Sequence, residues 1–171
     1  MSLEIERKFL VANEGWKTVV IRSVRIRDGL IANNKGHKAR VRIANDVATI
    51  ALKSRRRGPV RTEFEYAIPR SDAEEMLRTM CDGNVLDKVR HFVLHKGNNW
   101  HVDIYEGLLD GVILAEIELA DAGQEYALPD WIGAEVTSDP RYRKVNMLAD
   151  RVANQKSADT ALLARADEVI E

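Results

Sequence analysis

Acidic and basic residues recur at every second position along much of this chain, in pairs of one sign: Glu4 and Glu6 followed by Lys8, Arg40 with Arg42, Glu63 with Glu65, Lys88 with Arg90, and Glu116 with Glu118. Lys53 and Asp103 fall in the same alternation, the latter beside His101. Guanidinium and ammonium groups match phosphate oxygens, and clustered carboxylates are hard oxygen ligands suited to Mg2+ or Mn2+. In an extended strand, residues i and i+2 point the same way, so each charged pair occupies one face and leaves the other apolar. Leu3, Ile5 and Phe9 oppose the first acidic pair, apart from Arg7; Val41 and Ile43 oppose the arginines; Ile117 and Leu119 oppose the last acids. The strand around residue 25 reads as Arg25 and Arg27 against Val24 and Ile26.

A sheet with one wet face explains any single strand of this kind without a site. The segregation by sign argues further, because neighbouring like charges repel unless something of opposite sign lies between them. An interior lined with both signs costs several kcal/mol per unpaired charge, so the residues point to a shared lumen that takes a polyanion bridged by divalent metal.

The elements needed to position these groups are strands. Period-two alternation predicts them near residues 3–11, 22–31, 38–44, 47–54, 61–68, 85–95, 100–106 and 112–119, with Asn45-Asp46, Lys96-Gly97-Asn98-Asn99 and Asp110-Gly111 at the turns, so most neighbours are expected to be antiparallel. Eight such strands suffice to close a barrel. Ser71-Asp72-Ala73-Glu74 has the spacing of a capping box and predicts a helix to about Cys81; Asp139 and Pro140 predict a second, through Tyr142, Val145, Leu148 and Val152. Two helices lying over the apolar strand faces would leave the charged faces turned inward. The expected fold is therefore α+β dominated by β: an eight-stranded antiparallel barrel with covering helices, spanning residues 1–154. Residues 155–171 form either a short amphipathic helix through Leu162, Leu163, Ala166 and Ile170 or a frayed tail.

Composition agrees with one domain. The chain has 171 residues, 45% hydrophobic and 31% charged, which excludes disordered, collagen-like and low-complexity classes. Lys+Arg 26 against Asp+Glu 27 gives a net charge of −1, so any basic site is local, with no overall field for nucleic acid or acidic lipid. A single cysteine, Cys81, and a charged opening segment without a long apolar run predict a cytoplasmic protein with no membrane partner.

Glu4-x-Glu6-x-Lys8 is the N-terminal pattern of the CYTH superfamily, the triphosphate tunnel metalloenzymes. The resemblance extends over Arg40-x-Arg42, Lys53, Glu63-x-Glu65, Asp87-Lys88-x-Arg90, Asp103, Ala115-Glu116-x-Glu118 and the stretch Leu128-Pro129-Asp130-Trp131 to Tyr142. It covers roughly residues 3–150 and is similar to the short bacterial branch of inorganic triphosphatases. The resemblance implies a tunnel that binds a small-molecule triphosphate and hydrolyses it with Mg2+ or Mn2+. It implies Lys8, Arg40, Arg42, Lys53 and Arg90 as phosphate binders, Lys88 as the catalytic lysine with Lys8 beside it, Glu4, Glu6, Asp103, Glu116 and Glu118 as the metal cluster, and Glu63 and Glu65 as supporting acids. One departure is Leu30, which stands in Arg27-Asp28-Gly29-Leu30 where similar sequences carry a tyrosine, with Asp28 a conceivable substitute.

The same cradle suits a class IV adenylyl cyclase, a thiamine triphosphatase, or a polyphosphate-binding module with weak chemistry. Trp16, Trp100 and Trp131 read as core or lid residues. Arg55-Arg56-Arg57 reads as a solvated loop tip or the basic mouth of the lumen, thin ground for nucleic-acid binding. His91 and His95 fall on the face opposite Lys88 and Arg90, His101 shares the face of Asp103, and Cys81 has no basic neighbour in sequence to activate it. Oligomeric state is not readable from the chain.

Overall fold

A computed structural model of the chain describes residues 2–154; the expectation for residues 155–171 lies outside the described residues. Nine strands form one antiparallel sheet: β1 (Ser2–Val11), β2 (Val20–Asn34), β3 (His37–Ala44), β4 (Val47–Lys53), β5 (Val60–Ala67), β6 (Val85–His95), β7 (Asn98–Glu106), β8 (Ile113–Leu119) and β9 (Ile132–Glu135). The order is β5-β4-β3-β2-β6-β7-β8-β1-β9, and β5 also pairs with β1, which closes the first eight strands into a barrel. One edge of β1 serves two partners: residues 2–5 meet β5, and Phe9 and Val11 meet β9 with a shift of register between them. All eight expected strands are present. β9, too short to show alternation, was not expected.

Tight turns hold the hairpins. Lys35-Gly36 and Lys96-Gly97 each have positive φ at both residues, the two-residue loop whose twist matches that of the flanking strands. The Lys96 loop is thus two residues long, and β7 starts at Asn98, earlier than alternation suggested.

Apolar clusters cover the outside of the barrel. Phe9, Trp100, Val102 and Ile117, on the outer faces of β1, β7 and β8, pack with Trp16 and Trp131; the Trp100 ring meets Phe9 at 5.5 Å and Trp131 at 5.9 Å, edge to face. All three tryptophans are core. Over β3 and β4 lies α1 (Arg70–Thr79), which with Cys81 packs on Val41, Ile43 and Ala48. Gly29 permits this approach, since a Cβ there would lie 2.5 Å from Cys81 Sγ and 2.6 Å from Leu77. The expected capping box at Ser71 does not form. Helix α1 begins two residues earlier, with Pro69 at its N-cap, and Glu74 accepts from Arg70 Nε at 2.8 Å instead.

Residues 139–154 form a separate compact unit. Asp139 accepts from the Arg141 amide and caps a 3-10 turn over Pro140–Tyr142, and residues 144–154 are helical, so the second helix starts one turn later than its cap suggested. Among the described residues no helix is long and apolar enough to cross a membrane.

Candidate functional site

Following cross-strand partners around the barrel assigns one face to every strand. Lys8 pairs with Glu116 and Glu6 with Glu118; His101 pairs with Glu116; Arg90 with Asp103 and Lys88 with Tyr105; Ile26 with Lys88; Asp28 with Arg42; Lys53 with Glu63; and Arg61 with Glu4, which returns to β1. This closed circuit is the lumen face. Arg40 and Glu65 share it through their common partner Ala51. Every residue expected at the site therefore lies on one continuous inner surface: Glu4, Glu6, Lys8, Arg40, Arg42, Lys53, Glu63, Glu65, Lys88, Arg90, Asp103, Glu116 and Glu118.

Strand β2 is the correction. Arg25 and Arg27 point outward, to Glu106 at 3.1 Å and Asp87 at 3.4 Å, while Val24, Ile26, Asp28 and Leu30 face in. The expectation that each strand carries charge on one face only fails here, because outward arginines find surface partners on β6 and β7.

The lumen charges associate in three groups. Glu4 receives both Arg61 nitrogens at 2.7 Å and Lys53 Nζ at 3.0 Å, and Lys53 also meets Glu63 at 2.7 Å. Burial works against a charged Glu4, but the Arg61 hydrogen bonds and the cations around it hold its pKa far below the carboxylate range; burial and the neighbouring Glu4 push Glu63 up. In the second group Asp103, fully buried, accepts from Lys88 and, through both oxygens, from Arg90 at 2.7 and 2.8 Å; Arg90 also donates to Glu116 at 2.6 Å, and Lys8 lies 3.2 Å from Glu116. Burial opposes ionisation of Asp103, yet Lys88 and Arg90 overcome it and bring the pKa down to about 2. The third group is Asp28 with Arg42 and Arg40.

Arg61 and Tyr105 are inner residues that the sequence reading misses, while Arg56 reads there as a loop tip or the basic mouth and His101 as sharing the face of Asp103. Arg61 was legible in principle, being two residues before Glu63. Tyr105, two residues after Asp103, is fully buried beside Lys88, whose Nζ is 5.6 Å from the ring centroid. Arg56 turns its Nη2 to Glu4 at 3.7 Å and Glu6 at 3.5 Å, which makes it part of the lumen's basic lining. His101 Nδ1 lies 3.3 Å from Arg90 Nη1; burial first, and Arg90 second, lower its pKa to about 4, so the ring is neutral at physiological pH. His91, by contrast, contacts Ser23 at 2.7 Å and Trp16 on the outer face. Cys81 is buried and its thiol pKa is raised by burial and by Asp82, so it is not activated.

Glu6 and Glu118 have the loosest partners of the expected metal ligands. Glu6 lies 4.0 Å from Lys8 and 3.5 Å from Arg56, and Glu118 is pushed up by burial and then by Glu6. Among the described residues no three acidic, histidine or cysteine side chains already converge as a metal cage. The available donors are carboxylate oxygens, the chemistry that fits Mg2+ or Mn2+, with Glu4 and Glu116 now turned to lumen cations.

The CYTH domain family model matches residues 2–148. An inorganic triphosphatase of Acetivibrio thermocellus is 38% identical over 156 residues, covering 91% of this chain and 99% of that protein. One from Nitrosomonas europaea is 33% identical over 144 residues, covering 82% and 93%. The crystal structure of the inorganic triphosphatase NE1496 superposes with a TM-score of 0.62 at 28% identity, over 86% of this chain and 95% of that one. With a closed barrel whose inner face carries both signs of charge and a family model matched over nearly its whole described length, the chain belongs to the CYTH domain family.

Proposed function

We propose that this protein is a divalent-metal-dependent triphosphatase that cleaves inorganic tripolyphosphate to pyrophosphate and phosphate inside its barrel, in the cytoplasm. The observation that carries the reading is the lumen circuit itself: cations able to hold phosphates alternate with carboxylates able to hold metal, all on one inner face. The curated triphosphatase relatives support the same substrate class.

In this reading Lys8, Arg40, Arg42, Lys53 and Arg90 bind the phosphate chain, with Arg61 and Arg56 added to that set. Glu4, Glu6, Glu116 and Glu118 hold Mg2+ or Mn2+, which when bound neutralises phosphate charge and polarises a water. Asp103 has both oxygens occupied by Lys88 and Arg90, so its first contribution is to orient those two groups. Lys88 orients the attacking water. A bond forms from the water oxygen to a terminal phosphorus, the bridging P–O bond breaks, a proton of the water passes to a phosphate oxygen, and pyrophosphate leaves with the electron pair, its charge held by the basic side chains. Little covalent work falls to the protein, so fixing these groups on rigid strands is the main source of rate.

The charged circuit also has an energetic logic. Each buried ion costs several kcal/mol of desolvation, offset in the free protein by partners of opposite sign. A metal-bridged triphosphate lets both sets exchange those partners for the guest.

Phosphate release from tripolyphosphate, ATP and thiamine triphosphate, measured side by side with Mg2+ and Mn2+, tests the reading. Tripolyphosphate is expected to be the preferred substrate and EDTA to abolish turnover. Metal-dependent binding without release at any pH would leave a polyphosphate-binding module, and cyclic AMP from ATP would make it a cyclase.

A further inference from the structure

Strand β2 forms an inner wall that differs from the others: its lumen positions Val24, Ile26 and Leu30 are apolar, Asp28 is its acidic residue, and Arg22 lies two residues before Val24, toward the start of the strand, over the Phe92 ring. Asp28 is 5% exposed. It accepts from Arg42 Nε at 3.0 Å through one oxygen and from Arg42 Nη2 at 3.1 Å through the other, the fork geometry in which arginine grips carboxylate or phosphate. Arg40 reaches the same carboxylate only at 3.5 Å, and its Nε–H is buried without a hydrogen-bond acceptor. Two guanidinium groups thus converge on one internal anion, and one of them is left with a donor to offer.

Resting on the proposed function, the geometry assigns Asp28 as the specificity residue of the lumen, a built-in carboxylate that stands where a phosphate oxyanion of the guest must compete for Arg42 and Arg40. Its negative charge sets how much anionic charge this wall accepts. A guest phosphate entering beside Asp28 meets a like charge, and the penalty grows with the number of phosphates, so Asp28 weakens longer polyphosphates more than tripolyphosphate. Discrimination of this kind comes from a repulsive group, which a substrate-complementary wall of arginines alone would lack.

The test is titration calorimetry of the full chain, metal-free, with tripolyphosphate and with tetrapolyphosphate, for the wild type, Asp28→Asn and Asp28→Glu. Asparagine keeps an oxygen for Arg42 and removes the charge. It is expected to tighten tripolyphosphate about fivefold and tetrapolyphosphate about tenfold or more, whereas glutamate keeps the wild-type ratio within about twofold. If Asp28→Asn is poorly folded alone, its melting temperature is expected to rise more than that of the wild type on adding tripolyphosphate, because the guest then replaces the missing carboxylate. Weaker binding by Asp28→Asn, an unchanged ratio, or no added protection by tripolyphosphate overturns the assignment. Phosphate release by the wild type with Mg2+ reports separately on the proposed function: release with an unmoved ratio, or with no metal-free binding of either polyphosphate, sinks only the role of Asp28, and a wild type that neither binds a polyphosphate nor releases phosphate with Mg2+ sinks both.

Discussion

Glu6 on β1 and Glu118 on β8 stand directly opposite each other in an antiparallel pair, two carboxylates on the same inner face. Directly opposed like charges destabilise a sheet by about 0.2–1 kcal/mol. Burial is the larger cause of the raised Glu118 pKa and Glu6 the next. Such a pair makes sense where a cation comes to sit between the two groups.

The first prediction follows from that pair. Glu118→Gln is expected to make the metal-free protein more stable at neutral pH by about 0.5 kcal/mol, and to lower Mg2+-dependent phosphate release at least about tenfold. A raised carboxylate pKa means that the folded state binds the proton more readily, so the contribution of Glu118 is favourable below its ordinary value of 4.5 and is lost as pH rises through the elevated one. Thermal melts against pH should accordingly show the variant gaining on the wild type as pH rises. A variant less stable than wild type at neutral pH would remove the electrostatic argument.

Asp103 works in the opposite sense. It is fully buried and holds both Lys88 and Arg90, so Asp103→Asn leaves two buried cations short of a carboxylate and should cost about 3–5 kcal/mol. Its pKa of about 2 lies below the ordinary 3.8, so its stabilising contribution is present above that ordinary value and disappears as pH falls toward 2. Urea denaturation at neutral pH measures the first effect, and acid unfolding of the variant, with a shallower dependence in that window, measures the second.

The inner face was legible on most strands that carried two like charges two residues apart, because the pleat alone then fixes their common direction: Glu4 with Glu6, Arg40 with Arg42, Glu116 with Glu118. It was not legible on β2, where the most conspicuous charges, Arg25 and Arg27, are bound outward by Glu106 and Asp87, partners far along the chain. Asp28 drew little attention beside them, although cross-strand register to Arg42 puts it inside. Arg61 obeys the same parity as Glu63 but opens its strand, where alternation is weakest. Which charge pairs with which depends on strand order and barrel closure, and local spacing carries neither. The Ser71 cap failed for a local reason: Arg70 competes for Glu74 one turn away.

His101 supplies a third prediction. Its pKa is lowered from 6.5 to about 4, by burial and then by Arg90, so the unfolded chain takes up a proton on this ring before the folded one does. Stability from the neutral ring is therefore full above pH 6.5 and declines as pH falls through that value toward 4. His101→Gln, which can still offer an acceptor to Arg90 Nη1, should flatten the stability profile across that window while leaving the melt above pH 7 nearly unchanged. An equally steep profile in the variant would assign the acid sensitivity elsewhere.

Tyr105 gives the last. Its hydroxyl is buried and makes no hydrogen bond, and its ring packs beside Lys88. A buried donor without a partner costs about 1–3 kcal/mol, whereas the ring itself contributes packing that phenylalanine retains. Burial, then Asp103 and Glu116, push the phenol pKa well above 10, so the group stays protonated and adds no charge to the lumen at any working pH. Tyr105→Phe should therefore raise the stability of the metal-free protein by about 1 kcal/mol, read as a higher urea midpoint with an unchanged slope. Should the variant instead lose phosphate release while gaining stability, the hydroxyl serves the bound guest; a loss of stability would mean that it has a partner in solution, such as a buried water, and that the inner wall at Lys88 is wetter than its packing indicates.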